Sequence, residues 1–261
     1  MKIIDCSSSI GYDVVNSMII NHENYPVYEK VKQAANADEL IAELDFCGID
    51  EAIVYHRSMF DVSPTYGNKM ILKEIEKFPG RLKGTWTILP PLTEAEFLPE
   101  KLFPAMKENN IIGLRAFPEW NRFFLDRVTC GELIDVIVEK NVPLYLSPMH
   151  GWEHIFNVLK EFPKLTVIIT NYGLWGSDRY FYPLVREYGN VYIDTSDYQV
   201  LGGYEAFINK FGSDRLVFGS DFPMDNIGGT ITTLFGSWIN ESDKENIAFR
   251  NIERLLEKVR L

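Results

Sequence analysis

Short runs of Ile, Val, Leu and Tyr return along the whole of this chain, and each gives way to a stretch with helical periodicity. The pattern predicts strands at Lys2–Cys6, Glu51–Tyr55, Leu82–Leu89, Ile111–Phe117, Pro143–Leu146, Leu165–Thr170, Val191–Thr195 and Leu216–Gly219. Runs this dense in apolar residues suit strands covered on both faces. Between them, Ala37–Cys47 sets Leu40, Ile41 and Leu44 on one stripe and meets Gly48 as a C-cap. Cys130–Lys140 gathers Leu133, Ile134, Ile137 and Val138 and stops at Asn141. Ile155–Glu161 and Glu205–Phe211 are similar, and Asn246–Val259 closes the chain.

From the second strand onward the repeat is roughly 25–30 residues, the spacing of successive βα units. No linker, composition shift or charge block divides the chain, so residues 1–261 read as a single domain. Eight parallel strands of this kind close into an α/β fold, a (β/α)8 TIM barrel. An open doubly wound sheet is the alternative. It requires a Gly-rich phosphate loop after its first strand, where this chain has Cys6-Ser7-Ser8-Ser9-Ile10-Gly11. Asn21–Val31 is longer than a tight βα loop and is expected to cross the barrel mouth.

Charge narrows the partners. Twenty-six Lys and Arg against 37 Asp and Glu leave a net charge of −11, which opposes nucleic acid and anionic membrane surfaces. A local basic pocket for a small anion stays open, and the expected partner is a small-molecule ligand. A homo-oligomer is compatible with everything in the sequence. Cys6, Cys47 and Cys130 lie far apart and are odd in number, which reads as reduced thiols. The opening MKIIDCSSSIG lacks the apolar core of a secretory leader, and no segment reaches the ~18 apolar residues of a membrane span. The expectation is a soluble cytoplasmic protein.

A barrel carries its chemistry at the C-terminal ends of its strands. That places Ser7 and Ser9 after the first strand, His56 and Arg57 after the second, Thr87 near the third and Arg115 in the fourth. Ser147 and His150 follow the fifth, Asn171 the sixth, Asp194 and Ser196 lie on the seventh, and Asp221 follows the eighth. Trp86, Phe117, Trp120, Trp152, Tyr172 and Trp175 fall at strand ends or in the loops after them, which points to an aromatic-lined pocket. Cys6 alternates away from Ser7 and Ser9 and is expected to face the helices. His22 lies in a polar loop and is uninformative.

Several segments carry a family resemblance. Ile3-Ile4-Asp5 opens the chain, Gly113-Leu114-Arg115-Ala116-Phe117-Pro118 lies mid-chain, and Phe162-Pro163-Lys164-Leu165-Thr166-Val167-Ile168-Ile169 follows. Then come Asn190-Val191-Tyr192-Ile193-Asp194-Thr195-Ser196, Arg215-Leu216-Val217-Phe218-Gly219-Ser220-Asp221-Phe222-Pro223 and the tail Asn251-Ile252-Glu253-Arg254-Leu255-Leu256. In this order, over nearly the whole chain, they resemble the amidohydrolase-related branch of the amidohydrolase superfamily. The resemblance implies a (β/α)8 barrel and either metal-dependent hydrolysis of amides, esters and lactones or non-oxidative decarboxylation.

The resemblance also implies a His-x-His pair after the first strand, a His after the fifth, a His after the sixth and an Asp after the eighth, holding zinc or manganese. Here those positions are Ser7 and Ser9, Ser147, Asn171 and Asp221. Neutral hydroxyl and carboxamide oxygens are poor ligands for a metal that prefers imidazole, thiolate and carboxylate. Four of five ligand positions are replaced, so no cofactor is expected. His56 reads as a hydrogen-bonded mouth residue or a substitute ligand, and His150 with His154 as a helix-start pair or an i, i+4 metal pair. Asp221 is retained either for fold or for chemistry.

Two functions follow. The first is an enzyme acting on a small anionic molecule, with Asp221 as base, His56 or His150 as acid and Arg115 holding a carboxylate. Ser7, Ser9, Ser147, Asn171 and Trp86 would line its substrate site. The second is a catalytically inactive relative that binds a ligand or partner in the inherited pocket. For Arg115, the expectation is a side chain reaching the pocket and pairing with Asp221 or with a bound anion.

Overall fold

The structure, a computed structural model, describes residues 1–11, 34–173 and 176–261. The expected mouth excursion at Asn21–Val31, His22 and Trp175 lie outside the described residues. Eight strands form one parallel sheet in sequential order: β1 Ile4–Ile10, β2 Glu51–His56, β3 Leu82–Thr87, β4 Ile111–Arg115, β5 Leu144–Leu146, β6 Val167–Ile169, β7 Val191–Asp194 and β8 Leu216–Val217. Helices separate them, as the repeat implied. β1 runs four residues past its expected end at Cys6, so Ser7 and Ser9 are strand residues. The sheet curls until the segment after β8 meets β1. Cys6 N donates to Phe218 O at 2.8 Å, Asp221 N to Ser7 O at 2.9 Å and Ser9 N to Phe222 O at 2.8 Å.

The core divides into two shells. An outer one lies between strands and helices, with Val54, Leu114, Leu146 and Ile169 facing helical residues such as Leu40, Leu133 and Phe207. An inner one fills the barrel with Ile4, Cys6, Ile53, Tyr145, Ile168 and Val217. Ile252 and Leu255 of the last helix, Asn251–Leu256, belong to this inner cluster, so that helix plugs the barrel rather than extending its outer layer.

Helix Ala37–Cys47 has the expected bounds, with Asn36 capping Glu39 N and Gly48 left-handed at φ 73°. The helices Pro64–Ile75, Pro99–Glu108, Asp178–Glu187 and Ile227–Gly236 carry weaker sequence signals. Prolines stand inside two of them, at Pro104 and Pro183. Tertiary packing outweighs propensity there.

Two bulges decide which side chains enter the barrel. Between Asp5↔Ala52 and Ser8↔Val54, β1 advances three residues while β2 advances two. The extra residue turns both Cys6 and Ser7 inward. Cys6 therefore does not face the helices: its Sγ lies 3.7 Å from Asp194 Oδ2, inside the barrel. In β4, the pairing steps from Gly84↔Ile111 to Thr85↔Gly113, and this bulge brings Arg115 inward. Among the described residues, no helix is long and apolar enough to cross a membrane.

Candidate active site

A cavity of about 240 Å³ opens at the C-terminal ends of the strands. Tyr55 and Arg57 at the end of β2 form one side, and Phe60 and Asp61 come from the short helix Ser58–Asp61 that follows. Phe117, Glu119 and Trp120 enter after β4, Ser147, Met149 and His150 after β5, Asn171 after β6, and Asp221 and Met224 after β8. The aromatic wall is continuous. Phe60 lies 5.1 Å from Phe117 and 5.5 Å from Trp120 between ring centres, and Tyr55 lies 6.1 Å from Phe117. Trp120 meets the His150 ring edge-on at 5.4 Å. The Arg57 guanidinium sits over Phe60 at 5.2 Å and 3.8 Å from the Asp61 carboxylate.

At the floor, the Asn171 amide donates to Asp221 Oδ2. Both residues adopt the left-handed backbone region, each at φ 51°, which Asn and Asp tolerate better than other residues with a Cβ. Burial pushes the Asp221 carboxyl up to about 7. The Asn171 hydrogen bond pulls it back, Asp225 and Asp197 push it further up, and Arg115 lowers it. At neutral pH this carboxyl is poised between acid and base.

Arg115 lies below the cavity. Its Nε donates to Thr85 Oγ1 at 3.0 Å and its Nη2 to Ser7 Oγ at 3.2 Å. The guanidinium is sandwiched between Tyr55 and Tyr145, 4.1 and 4.3 Å from their ring centres. It is buried and inward-facing, but it makes no direct pair with Asp221, whose side-chain partner is Asn171. Nor does it line the cavity. Two ring faces and two hydroxyls occupy it.

The remaining sequence candidates separate cleanly. Asp221, Asn171, Ser147 and His150 line the cavity. Ser7 is spent on Arg115, and Ser9 sits at the seam with its hydroxyl 3.5 Å from Phe222 O. His56 points away: Ser58 N donates to its Nδ1 at 3.2 Å, its ring stands against Gly11, and burial lowers its pKa. It cannot serve as the acid of this cavity. Trp86 is likewise on the outer face, where its Nε1 donates to Asn68 O at 3.0 Å. Alternation explains both, since Thr85 and Tyr55, one residue away, are the ones that reach Arg115. His154 is held by burial below its ordinary pKa. Among the described residues, no three His, Cys, Asp or Glu side chains converge on a metal-sized position.

Tyr55, Phe60, Asp61, Met149 and Met224 join the site without having been singled out in the sequence. Tyr55 had a usable signal, since it stands two residues before Arg57 and alternate strand residues share a face. The short helix carrying Phe60 and Asp61 had none.

The family model for amidohydrolases matches residues 21–258 of this chain. A gamma-resorcylate decarboxylase of Polaromonas sp. is 21% identical over 244 residues, covering 72% of this chain and 74% of its own length. Among solved structures, a TIM-barrel protein of Bordetella bronchiseptica superposes with a TM-score of 0.75 at 18% identity, covering 99% of both chains. A dihydroxybenzoic acid decarboxylase of Polaromonas sp., with bound manganese and the inhibitor 2-nitroresorcinol, gives a TM-score of 0.76 at 17% identity, covering 98% of this chain and 97% of that one.

Proposed function

The chain belongs to the amidohydrolase family, and on that footing we propose that it decarboxylates a small aromatic acid at the barrel mouth without the family's divalent metal. The observation that carries this is Asp221, with a carboxyl near 7, at the floor of an aromatic cavity. At about 240 Å³ the space is smaller than the roughly 300–1,000 Å³ of drug-sized sites and suits a single substituted ring. The decarboxylase named among the relatives supports the same reaction class.

The family metal does not fit the residues present. Ser7 is buried and accepts from a cationic guanidinium, and Asn171 turns N–H toward the carboxylate that would have to bind the ion. Three hydroxyls, a carboxamide and one carboxylate are a weak donor set for zinc or manganese. The reaction is therefore assigned to this chain's own groups. Arg57, the guanidinium lining the cavity, takes the substrate carboxylate, and Phe60, Phe117 and Trp120 hold the ring. Asp221 in its acid form donates its proton to the ring carbon that carries the carboxylate. The carbon–carboxylate bond breaks, carbon dioxide leaves, and its bonding pair remains in the new C–H bond. Asp221 is left ionised and must regain a proton. In this reading Asp221 acts as the acid rather than the base, while His56 and Arg115, which do not line the cavity, take no direct part.

The test incubates chelator-treated protein with hydroxy- and aminobenzoates in heavy water. Expected are carbon dioxide and an arene deuterated at the vacated carbon, with kcat falling as pH rises through about 7. Asp221→Asn should lose at least about a hundredfold of this rate. Turnover that requires added manganese, or that survives in Asp221→Asn, overturns the reading. The weak donor set also supports a second reading, a ligand-binding relative without activity. Its mark is saturable binding of the same acids with no product.

A further inference from the structure

Trp86 faces outward from β3, and there it lines another cavity, of about 200 Å³. Helix Pro64–Ile75, β3, the short helix Ala95–Phe97 and helix Pro99–Glu108 form its walls. It shares no lining residue with the cavity at the barrel mouth. Leu72, Trp86, Phe97, Leu102 and Ala105 supply its carbon surface. Trp86, Phe97 and Leu102 are buried, and Leu72 and Ala105 are half-buried.

The polar groups of this wall already bond to one another or to the chain. Asn68 Nδ2 donates to Thr87 O and Asn68 Oδ1 accepts from Thr87 N, each at 2.9 Å. Trp86 Nε1 donates to Asn68 O at 3.0 Å, and Thr65 Oγ1 donates to the Glu96 carboxylate. Lys69 and Glu96, the charged residues of the lining, are exposed. Such a wall offers an occupant dispersion contacts and the rings of Trp86 and Phe97 rather than hydrogen bonds. A charged group drawn inside would lose its hydration without a buried partner. An apolar cavity of roughly 150 Å³ lined by Leu, Ile and Phe stays dry and takes up benzene, and the cavity behind β3 is of that kind. We propose that it is a further binding site, which takes an uncharged single-ring aromatic molecule against Trp86. It is independent of turnover at the barrel mouth.

The chain has five tryptophans, so the Trp86 indole N–H is identified in the NMR spectrum by its loss in Trp86→Phe. Titration of the wild-type protein with fluorobenzene should shift that signal saturably. Pyrazine, a ring of similar size whose nitrogens give up hydrogen bonds to water on entry, should bind at least about tenfold more weakly. Ala105→Phe and Leu72→Phe each add a ring to the lining, and a thermal melt checks that each folds. In either folded variant the fluorobenzene affinity read at Trp86 should fall at least about tenfold. Wild-type crystals under xenon pressure read the same cavity without a substitution, and xenon is expected beside Trp86. A Trp86 signal that fluorobenzene does not move, a shift confined to Trp120 at the mouth, or pyrazine binding as tightly as fluorobenzene overturns the proposal. So does an affinity unchanged in a folded variant, or the absence of xenon beside Trp86.

Discussion

Asp5 and Asp221 both sit at the seam where the barrel closes, and their surroundings give them opposite work. Asp5 is fully buried and accepts from the backbone N–H groups of Ser7 and Ser220, each at 3.0 Å, and from the hydroxyls of Ser8 and Ser220. Among the described residues, Asp221 has one side-chain donor, the Asn171 amide, and it lines the cavity. Burial pushes both carboxyls up. At Asp5 four donors, two from β1 and two from Ser220 after β8, oppose that push, and the residue ties β1 to the segment after β8. At Asp221 the Asn171 amide and, less strongly, the charge of Arg115 oppose it, which leaves a proton available near neutral pH. A carboxylate saturated with donors holds structure; one left short of them can exchange a proton with a ligand.

The comparison breaks most visibly at Asp5. Asp5→Ala leaves two N–H groups and two hydroxyls without an acceptor in a buried seam, and should cost about 5 kcal/mol in urea unfolding. A loss below about 1 kcal/mol would mean that the seam does not depend on this carboxylate.

Asp221 is next, through pH. Its carboxyl titrates near 7 in the folded chain against an ordinary 3.8, so between those values the folded state holds a proton the unfolded chain has released. Stability from this group is fully present below about pH 4 and is lost as pH rises through 7, roughly 4 kcal/mol in all. Asp221→Asn cannot titrate and should flatten that part of the stability profile. An identical slope in both proteins would contradict the raised pKa.

Gly219 sharpens the seam side. A Cβ there would land on the Asp194 carboxylate, which burial keeps well above its ordinary pKa and which accepts from Ser196 N at 2.7 Å. Gly219→Ala should cost about 2 kcal/mol, read as a lowered Tm, with Asp194 displaced. The mouth should respond least in stability. Trp120 is partly exposed, so Trp120→Ala should change unfolding by under about 1 kcal/mol yet weaken aromatic-acid binding about tenfold. A large loss of stability would show that the aromatic wall is core rather than site.

Much of the barrel was readable from local pattern. Ala37–Cys47 came with its stripe and its Gly48 terminator within one short segment, and the structure adds the Asn36 cap. Helices Pro99–Glu108 and Asp178–Glu187 were not readable, because internal prolines weaken the signal while packing still holds the helix. Within the site, the strand-end positions Asp221, Asn171, Ser147 and His150 were identifiable because a barrel presents strand ends to one face. Phe60 and Asp61 were not, since a four-residue helix leaves no periodicity to read.

What the sequence determined by itself was the order of strands and helices, the family, and the identity of the groups at the strand ends. These depend on periods of two and 3.6 residues and on contiguous motifs. The facing of individual side chains was decided only in three dimensions. One extra residue in β1 set Ser7 on the inner face beside Cys6, and one in β4 brought Arg115 beneath the cavity. Alternation counted from a strand's start fails at a bulge, and a bulge is visible only against the neighbouring strand. The partners that set each group's chemistry are also remote in sequence. Ser7 lies 108 residues from Arg115, Asn171 50 from Asp221, and Asp5 215 from Ser220. Only closure of the barrel brings them within hydrogen-bond reach, and only then does one aspartate become a staple while the other keeps a carboxyl raised to about 7 at the cavity floor.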